Sequence, residues 1–183
     1  MSLSVQERAE YVATFRFIHV FLMETLARWV PQTPELEVKV LFGRHIWDLA
    51  QQADGLGRRG YELRAPLQFS LRPFESYVEV LEEFARTDAT SQKIHGFYDV
   101  ILPGLAARYQ KYLERTDRLL DEPTVRVVEK ILGEINRMIG ESEALRKELP
   151  QLRLTDKEWA ARLAKREGSE PNIVVRRSSA AIA

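Results

Sequence analysis

The sequence predicts an all-α protein: a four-helix bundle with one long crossover that contains an extra short helix, followed by a short C-terminal helix. Three observations predict it. Apolar residues recur at helical spacing along most of the chain. Capping residues and prolines divide that pattern into segments. The first two long segments are joined by a short turn, as are the last two, whereas the pairs are separated by a stretch of about 30 residues, enough to climb back along a bundle.

The first helix should run from about Val5 to Val30, opened by a Ser4–Glu7 capping box and stopped by "PQTP". The second should run from about Pro34 to Arg59, with Thr33 as N-cap and Pro34 at the first helical position. Residues 60 to 72, "GYELRAPLQFSLR", read as an irregular connection, and a shorter helix follows from about Pro73 to Arg86. The next spans about Ala89 to Leu119. Pro103-Gly104 should kink it, because a proline withholds the hydrogen bond owed to the carbonyl of Asp99. "DEP" at 121 to 123 starts the last long helix, which runs to about Leu149, and Thr155 with Glu158 caps a short helix to about Arg166. Residues 1 to 167 thus form one domain. Residues 168 to 183 are expected to be a flexible tail, with docking of Ile173 to Val175 as the alternative.

Composition narrows the function classes. Of 183 residues, 45% are hydrophobic and 30% charged, an ordinary globular balance. Lys plus Arg equals Asp plus Glu, 27 each, so the basic surplus of a nucleic-acid binder is missing, and Arg176-Arg177 is too little to supply one. The lack of cysteine removes disulfides, thiolate nucleophiles and cysteine-bound metals, and fits a cytoplasmic protein. No apolar run approaches a membrane span, and "MSLSVQERAEY" lacks the form of a signal peptide. "GLGRRG" at 55 to 60 has no preceding strand and reads as a helix end, not a phosphate loop.

The three histidines carry the most information. At about 100° per residue, His45 lies at the centre of a stripe made by Val38, Leu41, Phe42, Leu49, Gln52, Ala53 and Leu56. His19 is central among Val12, Phe15, Leu22, Met23, Leu26 and Val30. Gln32 lies midway between the two, so a hairpin turning there would bring His19 and His45 to one level, face to face. His95 shares a stripe with Ile94, Tyr98, Leu102, Tyr109 and Leu113, roughly one and a half turns from His45. Asp48 and Asp99 flank these stripes, as Glu134 flanks that of the last helix.

Three uses of such a centre are open. His19, His45, His95, Asp48 and Asp99 could hold iron, manganese or zinc, since imidazole and carboxylate suit these metals. The histidines could instead be neutral core groups bonded to each other or to Gln52, Asp48, Tyr98 or Tyr109. Or the polar groups could line a small-molecule pocket beside the Pro103 kink.

The phrases "PELEVKVLFGRHIWDLAQQAD" and "LLDEPTVRVVEKILGE" resemble segments of the ferritin-like superfamily, and the resemblance covers roughly residues 5 to 149. It implies the one-crossover bundle and a di-iron centre built from a Glu on each of two helices and a Glu-x-x-His on each of the others. The sequence departs from that set. Phe42 stands where the Glu paired with His45 should be, and Arg137 where the His paired with Glu134 should be. Glu24 points away from the bundle, and the third helix offers only Asp99. The ligand set is degenerate.

Two functions follow as expectations. One is a non-standard metal-dependent oxidoreductase acting on a small substrate with dioxygen, or a small-molecule binder, centred on His19 and His45. The other is a metal-free, dimeric interaction or accessory protein. The second helix carries a back stripe, Leu36, Val40, Gly43, Trp47 and Ala50, and the first carries Phe17, Val20 and Phe21. A homodimer through these two helices would cover them, and so would the crossover with Phe69, Leu71, Phe74 and Tyr77.

Overall fold

The structure is a computed structural model that describes residues 3–170 and 172–175. The described residues are helical or irregular and contain no strand, and no helix among them is long and apolar enough to cross a membrane.

Helix α1 (Val5–Gln32) opens with the expected capping box: Ser4 Oγ accepts from the Glu7 amide and the Glu7 carboxylate accepts from the Ser4 amide. Helix α2 (Leu36–Glu62) starts later than expected. Glu35 is its N-cap and makes no side-chain cap bond; its carboxylate accepts from Thr90 Oγ1 at 2.9 Å instead. Thr33 turns back, donating to the Trp29 carbonyl at 2.9 Å, and so closes α1 rather than opening α2.

Trp29 packs on Phe42 with ring centroids 5.9 Å apart, and a methyl on Gly60 would touch Val12 at 3.9 Å. These contacts fix an antiparallel α1–α2 register in which residue 19 faces residue 52.

The crossover is irregular from Leu63 to Phe74 and lies along α1. The Leu71 amide donates to the Ala13 carbonyl at 3.1 Å, and Arg16 donates to Gln68 at 2.9 Å and to Ser70. Then come α3 (Glu75–Ala85), α4 (Thr90–His95), a π-helical turn (Gly96–Ile101) and α5 (Leu102–Arg115). The backbone stays helical from α4 through the π turn into α5. The irregularity expected at Pro103 therefore takes the form of a widened turn just before it. A π turn reassigns the carbonyls that a proline leaves without donors.

Helix α6 (Glu122–Glu148) and, after a 3-10 turn (Pro150–Arg153), α7 (Lys157–Gly168) complete the chain. The cap of α7 is Asp156, not Thr155: its carboxylate accepts from the amides of Glu158 and Trp159. Helix α7 packs over the π turn. A side chain on Gly96 would overlap the Phe84 ring at 2.9 Å and meet Trp159 at 3.1 Å, so the close approach requires glycine.

Contacts between elements give their directions. Phe15 of α1 meets Tyr109 at 4.3 Å, and Tyr98 lies beside His45 while Tyr112 lies at the Arg59 end of α2. The α4–α5 stretch is thus antiparallel to α1 and parallel to α2. At that end the fully buried Asp121 accepts from Tyr112 (2.5 Å), Thr116 (2.7 Å), Thr124 (2.5 Å) and Arg59 (3.2 Å). Burial alone would raise its pKa; these donors outweigh it and the net shift is downward.

Ile173 and Val174 are buried, and the Ile173 carbonyl accepts from the Phe74 amide at 3.1 Å. The packed structure thus extends past residue 167 and takes the docked alternative for the segment at Ile173 to Val175; Arg176-Arg177 lies outside the described residues.

Candidate functional site

Both core histidines are fully buried, as their place on the apolar stripes implies, but they do not face each other. The observed register sets His19 against Gln52, seven residues and so about 10 Å along α2 from His45. The result is two polar layers in the core.

In the first layer His45 Nδ1 lies 2.6 Å from Tyr98 Oη, and Nε2 lies 3.1 Å from Glu141 Oε2. The pKa of Glu141 is lowered: burial pushes it up, and the bonds from Arg137 and His45 outweigh this. An ionised carboxylate only accepts, so Nε2 carries the ring proton and Nδ1 accepts from the Tyr98 hydroxyl. The imidazole is held neutral, because burial lowers its pKa against the raising influence of Glu141 and Asp48. The chain Tyr98→His45→Glu141 runs from the core to a partly exposed carboxylate. Arg137 closes it, donating to Glu141 at 2.7 Å and to Asp48 at 2.8 Å.

In the second layer His19 Nε2 lies 2.7 Å from Tyr109 Oη. Gln52 donates from Nε2 to Glu134 at 2.7 Å. Its Oε1 comes near His19 and supports the protonated ring slightly, yet neither Oε1 nor His19 Nδ1 reaches a partner in good hydrogen-bond geometry. No charge compensates burial here, and the His19 pKa falls to about 3.

The remaining candidates lie elsewhere. His95 Nδ1 meets Asp99 at 2.9 Å, and Arg146 grips both Asp99 oxygens at 2.6 and 2.9 Å. Burial pushes the Asp99 pKa up, but the bonds from His95 and Arg146 bring it down to about 2. The structure therefore divides the sequence candidates three ways: His45 with Asp48 across Arg137, His19 alone with Tyr109 and Gln52, and His95 with Asp99.

The di-iron ligand set of the ferritin-like pattern does not fit these residues. Among the described residues no three His, Asp or Glu groups converge as donors for a metal. Asp48 and Glu141 are bridged by one guanidinium and Asp99 is held by another. Next to Pro103, the Glu167 carboxylate lies where a Gly104 side chain would be.

Sequence reasoning named Tyr98, Tyr109 and Gln52 as partners but missed Glu141 and Arg146. The i,i+4 spacing of Arg137 and Glu141 was the available signal for the first layer.

On the outer side of α2 the back stripe remains bare: Leu36 is 69% exposed, Val40 48% and Trp47 66%, and the space above Gly43 is open. The crossover covers α1 instead, with Arg72 6.0 Å from the Phe17 ring. Comparison with protein-family models, with curated proteins and with solved structures found no match to this chain.

Proposed function

We propose that this chain is a ferritin-like bundle protein that works as a homodimeric interaction or accessory protein of the cytoplasm, its polar centre closed on itself. The observation that carries the reading is the bare stripe of Leu36, Val40, Gly43 and Trp47 on α2. A two-fold interface must be self-complementary. The stripe offers a protruding Trp47 and, one turn away, the open notch above Gly43. An antiparallel crossing of two α2 helices seats each tryptophan over the other chain's glycine, with Leu36 and Val40 extending the seam.

Sedimentation equilibrium tests it. The wild type is expected at twice the chain mass at micromolar concentration. Trp47→Glu should weaken self-association at least about tenfold, since a buried aromatic anchor is the usual hot spot. A wild-type monomer throughout that range overturns the reading.

A second reading, a metal-dependent oxidoreductase or small-molecule binder, draws its support from the Tyr98–His45–Glu141 chain, which links the core to the surface. It requires Arg137 to yield its place between Asp48 and Glu141. Near-stoichiometric iron, manganese or zinc by elemental analysis, lost in His45→Ala, would favour it over the first.

A further inference from the structure

A polar concavity lies between α1, α5 and the C-terminal segment, outside the hydrogen bonds of both histidine layers. Tyr11 and Phe15 of α1, Arg108, Lys111, Glu114 and Arg115 of α5, and Asn172 and Ile173 of the C-terminal segment enclose about 140 Å³. At about 30 Å³ per water this holds four or five waters, or one tetrahedral oxyanion.

Its lining is cationic. Arg108, Lys111 and Arg115 recur at three and four residues, which puts them on one face of α5. Arg108 is 6% exposed and immobilised: it stacks on Tyr77 at 4.6 Å, pairs with the Glu167 carboxylate and donates to the carbonyls of Glu167 and Glu170. Its Nε is buried without a partner. Arg115 donates to the Tyr11 hydroxyl, which keeps its own proton to give, and has no carboxylate partner within bonding distance. Lys111 forms no ion pair within that distance among the described residues. Asn172 Oδ1 accepts from the Val174 amide at 3.4 Å, which leaves the amide nitrogen to donate. Glu114 is the one acidic side chain of the lining. Three cations against one carboxylate leave the pocket positive even after Glu167 is counted.

We infer that this pocket binds one phosphate-type oxyanion, either the free ion or the end of a small phosphomonoester. The guanidinium of Arg108, fixed by its bonds to Glu167 and Glu170, supplies an immobile positive charge at the inner wall. Lys111 and Arg115 supply charge, and Tyr11 and Asn172 supply orienting donors.

The test is calorimetric titration of the full chain with inorganic phosphate and with glycerol 1-phosphate at constant ionic strength. Saturable one-to-one binding is expected. Binding of phosphate alone identifies the free ion as ligand, and binding of both identifies a phosphomonoester end. The exposed pair Lys111→Gln/Arg115→Gln should weaken binding at least about tenfold, while Lys39→Gln, a distant surface cation, should leave it unchanged. Glu114→Gln should tighten it, a gain that misfolding does not produce. The inference is overturned if neither probe binds, if Lys39→Gln weakens binding as much as the double variant, or if Glu114→Gln gives no gain.

Discussion

The His45 and His19 layers use the same pair, an imidazole bonded to a tyrosine, but differ at the second ring nitrogen. His45 Nε2 meets an ionised carboxylate whose own charge is balanced by Arg137. His19 Nδ1 meets only the edge of a neutral amide. A buried histidine with a carboxylate can still attract a proton; one without must stay neutral or open the fold. The difference shows most in acid. The unfolded His19 titrates near 6.5 and the folded one near 3. Between these values the unfolded chain binds a proton that the folded chain does not. The stability tied to neutral His19 is therefore complete above about pH 6.5 and is lost as pH falls towards 3, at up to about 1.4 kcal/mol per unit. Urea unfolding at pH 7, 5.5 and 4.5 should show that slope, and His19→Leu should flatten it more than His45→Leu does. Equal flattening by both would erase the distinction between the layers.

At neutral pH the comparison turns on orphaned hydroxyls. His19→Leu leaves Tyr109 Oη fully buried with no acceptor, which costs about 1–3 kcal/mol. Adding Tyr109→Phe removes the orphan, so the double variant should recover most of that loss. In the other layer His45→Leu strands Tyr98 as well, but Glu141 keeps Arg137 and its exposed face. There Tyr98→Phe should rescue just as well, with no residual penalty from the carboxylate. Urea midpoints of the two single and two double variants decide this. A double variant no better than its single would show that cavity, not hydrogen bonding, sets the cost.

Much of this arrangement is legible in the sequence and one part is not, for a physical reason. Periodicity located every helix, and the Ser4–Glu7 box and the proline at 103 marked real features of the backbone. Periodicity also put His19, His45, Tyr98 and Tyr109 inside. It carries no information on axial register, however. Setting the turn at Gln32 made the histidines level. Thr33 binds back to Trp29 and Glu35 caps α2, so the turn lies further along, and the packing of Trp29 on Phe42 settles the offset. Arg137 was read as a missing ligand; its role as the counter-charge of Asp48 and Glu141 depends on that same register.

The smallest expected effect isolates the counter-charge itself. Arg137 is 44% exposed, so its bridges to Asp48 and Glu141 are screened, and Arg137→Gln should cost less than about 1 kcal/mol. The electrostatic consequence for the imidazole is clearer than the energetic one. Among the influences on His45, the Arg137 charge opposes protonation while Glu141 and Asp48 favour it. Removing the guanidinium leaves the two carboxylates unopposed, so the His45 pKa should rise, while that of His19, walled off by Tyr109 and Gln52, should not move. Imidazole proton resonances followed against pH read both sites in one experiment. If both shift together, the layers share one electrostatic environment; if His45 alone moves, its link to the surface runs through Glu141 and Arg137.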